Sequence, residues 1–436
     1  MDFDRREFLI AGTAGLCCAA AAEEPRESPM SDVKKDPELR EEIMALPVFD
    51  THNHLKGGED LSARDFWTIG HYFWFKRELQ AAGYPRNADA LPEDARAKAF
   101  IGALDKARNT AWNQAVRRSM VELFGIELKD VASIAALNRR IAETHADANW
   151  PKTVCDRAGL AALTIGGLEK QPFGRIAERV LPVPNFNPFD AKSVQRFLAA
   201  GDRKAAIGEA VAEVRGRLDA FKAQGIKTLR VPWTFRKGTG LITDVPELTA
   251  TGNTEDRIQH YLAHALFEEL DKRRFHLQIF LGVEQPTPGY KQRSDAQRTY
   301  PRNDTDRVVE MHDIFNRYSD CTFELINAAE LSSLDLVQAA RIFTNVYPGG
   351  LWWFAFRPSI YRLNMQYRME GLPACRATFV ATDARCIEWA YIKTMLVKRL
   401  MAEFFEDQIA RGWIDRETAL ATARSWLHDT AAGLYL

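Results

Sequence analysis

Cysteine is scarce in this chain, with 6 in 436 residues and no C-x-x-C pair, so neither a zinc knuckle nor a dense disulfide framework is indicated. Cys155, Cys321, Cys375 and Cys386 are scattered and read as four buried thiols. Charge of one sign is not in excess either. Lys and Arg number 58 against 59 Asp and Glu, a net charge of −1, which withholds the drive for tight binding to nucleic acid or an anionic membrane surface. No apolar run reaches the roughly 20 residues of a membrane span. Internal repeats and low-complexity tracts are missing too, which disfavours a fibrous role. What is present is ordinary globular usage, 46% hydrophobic and 27% charged. The length suits two or three small domains, or one large α/β barrel with insertions.

The N-terminus carries a separate message. Asp4-Arg5-Arg6-Glu7-Phe8-Leu9 leads into the weakly apolar run Leu9 to Ala22 and then Glu23-Glu24. Paired arginines before such a run resemble a twin-arginine export signal over 1–24, with cleavage near Ala20 to Ala22. That predicts a folded protein delivered to the periplasm or cell envelope. Without such a signal the chain stays in the cytoplasm. Residues 25–46 read as a linker and one helix from Pro37 to Ala45.

From position 47 onward the pattern is βα. Val48 to His52 reads as a first strand, followed by a loop at Leu55 to Gly58. About 60–150 has helical spacing throughout, as in Ala95 to Lys106 and Trp112 to Phe124, and is expected to be a helical insertion. Strands are then predicted at Leu160–Ile165, Val180–Val183, Ile226–Val231, Leu277–Leu281, Thr322–Ile326 and Phe379–Thr382, with a weaker one at Phe343–Val346. Helices alternate with them at Ala205–Ala223, Glu255–Arg273, Arg307–Tyr318 and Leu334–Ala340. About eight such units imply an α/β fold, a (β/α)8 TIM-type barrel with a helical insertion after strand 1. A helical C-terminal tail from Ile387, with its apolar stripe at Tyr391, Met395, Leu396 and Leu400, should pack on the barrel exterior.

Three local patterns carry chemistry. In Phe49-Asp50-Thr51-His52-Asn53-His54, the i, i+2 spacing sends both imidazoles to one side at the strand's C-terminal end, the end where parallel barrels place their sites. Neutral imidazoles held together suit a shared divalent cation, or a pair of half-buried hydrogen-bonded histidines. Thr382-Asp383-Ala384-Arg385 closes the last predicted strand, beside the first in a closed barrel. Asp383 there could complete a metal site, take a proton, or cap the following helix. Arg385 suits a substrate carboxylate or a surface ion pair. Finally, Tyr347-Pro348-Gly349-Gly350-Leu351-Trp352-Trp353 combines a glycine turn with two tryptophans fit either to wall a sugar pocket or to fill the core. His260 and His264, at i, i+4 on an amphipathic helix, lack a Glu after the first and read as structural. His145, His312 and His428 are isolated.

In this order, the three patterns resemble the uronate isomerases, a branch of the amidohydrolase superfamily. The likeness extends to His71-Tyr72, Lys76-Arg77-x-Leu79-x-x-Ala82-Gly83 and Phe124-Gly125-Ile126 in the insertion, and to a tail ending in Leu434-Tyr435. The resemblance implies one divalent ion, usually zinc, held by His52, His54 and Asp383. Arg385, Trp353, Trp352 and His71 would face the substrate, and Asp383 and Tyr72 would be the catalytic groups. The implied reaction interconverts an aldehydic uronate such as glucuronate with its keto form through an enediol. A homo-oligomer is the family-level expectation. Departures from the pattern fall on strand five, where Leu277-Gln278-Ile279-Phe280-Leu281 has no histidine at its C-terminal end and His276 comes too early. They also fall on Pro184 to Pro188, in place of a substrate-binding arginine, and on Arg230-Val231-Pro232-Trp233 in strand four. Two alternatives stand beside this reading: metal-dependent hydrolysis of a lactone, amide or ester, which export favours, and a non-catalytic carbohydrate-binding barrel.

Overall fold

A computed structural model describes residues 36–167, 172–189, 191–231, 254–284, 300–301 and 308–436. The twin-arginine segment, Pro232-Trp233 and the His260 side chain lie outside the described residues. The chain enters through a helix at Pro37–Ala45, started by Asp36, whose carboxylate accepts from Leu39 N at 3.0 Å, and by Pro37 in its first turn. Strand β1 (Val48–Asp50) follows. Between it and β2 (Leu160–Ile165) lie only helices among the described elements, the longest being Val131–Ala146, opened by a capping box of Asp130 and Ser133. This is the predicted insertion.

Beyond β2 come β3 (Val180–Pro182), β4 (Thr228–Arg230), β5 (His276–Leu281), a small antiparallel pair β6 (Val283–Glu284) and β7 (Tyr300–Pro301), then β8 (Thr322–Asn327) and β9 (Val346–Leu351). The main strands form two parallel sheets, β1-β2-β3 and β4-β5-β8-β9. Their neighbouring edges are stitched at one side by a parallel bridge between Asn185 and Arg230, where Arg230 N donates to Pro184 O at 2.9 Å and Phe186 N to Arg230 O at 2.8 Å.

On the other side the predicted strand Phe379–Thr382 is extended chain without a regular ladder. It still bonds both neighbours: Thr378 N donates to Pro348 O (3.0 Å), Thr51 N to Val380 O (2.9 Å) and Asp383 N to His52 O (2.7 Å). The ladder is interrupted because the Asp50 side chain captures Thr382 N at 2.8 Å, a donor a neighbouring strand would otherwise take.

Strand β9 corrects a second expectation. It begins where the weak strand at Phe343–Val346 was expected to end, and the Gly349-Gly350 pair lies inside it, not in a turn. The glycines are there for close approach. A Cβ on Gly350 would sit 2.5 Å from Ala381 Cβ and 2.6 Å from Ala381 N. Gly350→Ala is therefore expected to cost roughly 2–3 kcal/mol through overpacking against backbone that cannot rotate away. Because Ala381 stands two residues before Asp383, the same variant should retain less divalent metal, and thermal melts with metal analysis check both effects.

The C-terminal helix, Ile387–Ala410, is more deeply buried than one apolar stripe alone indicates. Its apolar stripe accounts for one contact face, yet nearly every face is buried, since helices between β1 and β2 cover the side turned away from the sheets. Charged residues on it are consequently matched one by one. Glu388 accepts from Ala63 N (2.9 Å) and Trp150 Nε1 (2.7 Å), and Lys398 donates to the carbonyls of Met44, Leu46 and Ala158 at 2.7 to 2.9 Å. The helix predicted over Arg307–Tyr318 is reduced to a short 3-10 turn and His312–Arg317. Of the four thiols, Cys155, Cys321 and Cys386 are buried, but Cys375 is exposed, and all four are free. No helix among the described residues is long and apolar enough to cross a membrane.

Beneath the strand ends, the chain terminus enters the core. Gln278 Nε2 donates to the Tyr435 hydroxyl at 2.7 Å, and that hydroxyl donates to Glu324, whose other oxygen accepts from Thr378. Tyr435 also packs on Phe49 and His276 with ring centroids 5.1 and 4.7 Å apart. The penultimate residue thus ties the closing helix to both sheets.

Candidate metal centre

Strand β1 ends at Asp50, and the chain immediately beyond it carries His52 and His54. The segment continuing from β9's neighbour carries Asp383. The three side chains converge: His52 Nε2 lies 3.4 Å and His54 Nε2 3.1 Å from the same carboxylate oxygen, Asp383 Oδ1. One ligand atom from each falls within 4.8 Å of the others. Asp383 holds a left-handed backbone, φ 53°, unusual for a residue other than glycine and characteristic of constrained sites. It does not cap the following helix, whose N-cap is Cys386.

Burial is asymmetric. The His52 side chain is 3% exposed and that of His54 45%, so one imidazole forms the floor and the other the rim of the cavity. Burial, followed by the charge of Arg230, holds His52 well below the ordinary histidine range, against the opposing pull of Asp383. For Asp383, burial alone would raise the carboxyl. Contacts with His52 and His54 and the charge of Lys393 overcome it and carry the carboxyl well below its usual range. Neutral imidazole and ionised carboxylate are the protonation states a divalent cation requires of its ligands.

These residues fit such an ion on a specific observation. Neither ring nitrogen of His52 has a hydrogen-bond partner, although the ring is buried. Among the described residues this is the only His/Cys/Asp/Glu group able to converge on an ion. His276, the histidine at the wrong end of strand five, is occupied by Thr322 at 2.8 Å, on the far side of β5 from the strand ends.

Around this core stands a layer that orients it. Asp50 is wholly buried and accepts from His52 N (3.3 Å), Asn53 Nδ2 (3.1 Å), Thr382 N (2.8 Å) and Thr382 Oγ1 (2.5 Å). One carboxylate therefore ties the loop bearing both histidines to the segment bearing Asp383. Tyr72, from the insertion, places its hydroxyl 3.2 Å from Asp383 Oδ2. Lys393, buried on the C-terminal helix, donates to Tyr72 Oη at 2.7 Å and to Thr382 O. Because an ammonium can only donate, the single hydrogen of Tyr72 is directed to Asp383. Burial pushes the Lys393 amine down to about 8, resisted by Asp383 and Asp50. Burial and the Asp383 charge push the Tyr72 phenol well above its usual range, so it remains a proton donor.

The remaining predicted residues sort by position. Trp352 stands edge-on to His52, centroids 5.9 Å apart, and against Phe280 at 4.8 Å. Trp353 stacks on Trp352 at 4.1 Å with φ 49°, and reaches Trp74 of the insertion at 5.5 Å. The two indoles form a wall beside the histidines. Arg385 is exposed above the ring of Phe73 at 5.1 Å, at the outer edge. His71 turns elsewhere: Nδ1 meets Asp89 at 2.7 Å, Nε2 meets the Tyr84 hydroxyl at 2.8 Å, and the ring packs on Trp67. Of the adjacent pair His71-Tyr72, only the tyrosine has a hydrogen bond to the His52, His54 and Asp383 group. His264 pairs with Tyr318, and His145 Nδ1 meets Ser62 at 2.9 Å, as structural histidines do. Sequence reasoning passed over Lys393 and the clamp role of Asp50. The one signal for either was the presence of Asp50 in the motif itself.

No protein-family model matches this chain, and no curated protein matches it. Solved structures do. A uronate isomerase from Thermotoga maritima aligns with TM-score 0.72 at 14% identity, covering 92% of this chain and 96% of that one. A glucuronate isomerase from Caulobacter crescentus gives 0.69 at 15% identity, over 91% and 93%. A uronate isomerase from Bacillus halodurans gives 0.67 at 17% identity, over 91% and 97%. At such identities the likeness is one of fold, and it spans nearly the whole of each chain.

Proposed function

We propose that this chain is a metal-dependent uronate isomerase, a divergent enzyme of the amidohydrolase type, and that its two parallel sheets are arcs of one (β/α)8 barrel. The observation that carries the reading is the convergence of His52, His54 and Asp383, separated by some 330 positions in the chain, at one end of that fold. His52, His54 and Asp383 would hold a single divalent ion, and two imidazoles with a carboxylate are a donor set that suits zinc. When bound, the ion would polarise the carbonyl and the neighbouring hydroxyl of a sugar acid.

The reaction moves a proton from C2 to C1 while the C1 carbonyl becomes a hydroxyl and the C2 hydroxyl a carbonyl. Asp383 faces the histidines with Oδ1, while its Oδ2 accepts from the Tyr72 hydroxyl, and in this reading Asp383 would take the C2 proton with Tyr72 holding the carboxylate in place. The wall of Trp352 and Trp353 would pack the apolar face of the sugar ring and keep bulk water from the enediol. Arg385 at the outer edge is placed to steer an anionic substrate inward. His71, committed to Asp89, would act on substrate only indirectly, by setting the insertion that presents Tyr72.

The paired arginines at Arg5-Arg6 support export of the chain after folding and metal loading, and a homo-oligomer is the assembly the family resemblance implies. The deciding experiment incubates purified, zinc-loaded protein with glucuronate, galacturonate and a panel of lactones. The expected result is a ketose product with about one divalent ion per chain. Acid release from a lactone instead would make the protein a hydrolase, and a chain that retains no metal and turns over nothing would be a binding protein.

A further inference from the structure

Lys393 lies within the C-terminal helix and is only 2% exposed. A buried ammonium ordinarily sits against a carboxylate, because desolvating an unpaired charge is costly. Among the described residues no carboxylate lies within ion-pair distance of Nζ. Rings surround it instead: the centroids of Tyr72, Trp112 and Phe356 are 4.7, 5.3 and 5.2 Å away. A methionine would fill the same space without desolvating any charge. Packing alone therefore gives no reason for a lysine at this position.

Its two oxygen contacts supply one, since both flank Asp383. Nζ donates to Tyr72 Oη at 2.7 Å and to the Thr382 carbonyl. With the phenol oxygen accepting from an ammonium, its own hydrogen has two acceptors, Asp383 Oδ2 at 3.2 Å and Asp383 O at 3.4 Å. Either choice keeps it on Asp383. Thr382, the preceding residue, is held at three points: its N and Oγ1 by Asp50, at 2.8 and 2.5 Å, and its carbonyl by Lys393. A left-handed backbone such as that of Asp383, φ 53°, persists only where its surroundings over-determine it, and the pinned Thr382 peptide does so from one side.

We propose that Lys393 is a positioning residue of this site: from behind the aromatic layer it fixes the Tyr72 hydrogen and the Thr382 peptide, and through them holds Asp383 with Oδ1 toward the two imidazoles. The inference rests on the proposed reading in one respect, that Asp383 both holds the ion and takes the substrate proton. Lys393 touches neither ion nor substrate. Its loss should therefore be felt in metal affinity and in kcat, and hardly in KM.

The test is a double-mutant cycle of Lys393→Met and Tyr72→Phe at pH 7, read as zinc affinity by chelator competition and as kcat and KM of zinc-saturated protein on glucuronate and galacturonate. Lys393→Met should lower zinc affinity and kcat about tenfold each and change KM by less than about twofold. In the Tyr72→Phe background the same substitution should change either quantity by less than about threefold, because the hydroxyl it acts through is gone. Losses that multiply across the cycle, or a loss carried by KM, overturn the proposal, as do unchanged zinc affinity and kcat in Lys393→Met. Should Lys393→Met not fold, Lys393→Gln takes its place: its amide oxygen can accept the phenol hydrogen and turn it from Asp383, so it should show the same losses, and wild-type values overturn the proposal. If neither variant folds, Lys393 is a structural residue and the proposal fails. A wild type that binds zinc but turns over no uronate overturns the isomerase reading, and the cycle on zinc affinity then decides the role of Lys393. A wild type that binds no zinc overturns both.

Discussion

Asp383→Asn should yield a folded chain that no longer retains a divalent ion and whose kcat/KM on the proposed uronate substrate falls by at least about a thousandfold, near 4 kcal/mol of transition-state stabilisation. Asparagine is the informative choice because it tolerates the left-handed backbone that Asp383 occupies at φ 53°, so the loop geometry survives the change. What is lost is the charge, and the amide must turn a donor either toward the two imidazoles or toward Tyr72. Both histidines then face an environment in which a cation gains one formal ligand fewer. The thermal midpoint should fall, since the contacts that carry this carboxylate well below its usual range outweigh its burial cost and the amide gives up that surplus along with the stabilisation by bound metal. Metal analysis by mass spectrometry and a coupled ketose assay check the two halves of this expectation. A variant that keeps a full complement of zinc and wild-type turnover is incompatible with a centre built on these three residues.

How much of this was legible beforehand follows from how local each signal is. The imidazole pair announces itself because a two-residue period on a strand fixes direction without reference to anything distant. Asp383 could be placed beside it from topology alone, since the last strand of a closing barrel neighbours the first. The insertion was readable as helices from spacing, and most strand positions from β-branched runs. What remained hidden depends on partners far away in sequence. Lys393 is one of two lysines on its helix, and only partners distant in sequence, above all the buried hydroxyl of Tyr72, 321 positions earlier, give it a role. Tyr435 looks like a terminal aromatic until its hydroxyl is found between Gln278 and Glu324. The full burial of Ile387–Ala410 was not readable because an apolar stripe reports one contact face, and further helices cover the rest. The glycine pair in β9 read as a turn because local propensity cannot distinguish a bend from a place where another backbone presses close.

Asp50→Asn separates stability from function, and it does so through the sign of a proton linkage. Withdrawal from water raises the Asp50 carboxyl from 3.8 to about 6, despite the donors of Thr382, Asn53 and His52 that pull it down. The folded chain therefore holds this proton at pH values where the unfolded chain has released it. Between about pH 4 and 6 the folded state binds more protons than the unfolded one, so stability from this group falls as pH rises, by about 3 kcal/mol in all. The neutral amide has no such loss. In metal-free protein, the stability of Asp50→Asn relative to wild type should accordingly climb by about that amount from pH 4 to pH 7, ending near or above parity. Function should move the other way. The amide places its NH2 against donors that Asp50 now satisfies, Asn53 Nδ2 cannot reverse without abandoning its oxygen's bond to Leu55 N at 3.1 Å, and the clamp between the histidine loop and Thr382 loosens. Outer-shell losses of this kind lower metal affinity or turnover by about 10- to 100-fold, and the upper end is expected where one group fixes two ligand-bearing segments. Denaturation midpoints against pH for the two metal-free proteins, read beside zinc affinity and kcat, measure both effects. A variant equally destabilised at pH 4 and pH 7, with unaltered zinc affinity, would mean that Asp50 is ordinary core and that the histidine loop is held by something else.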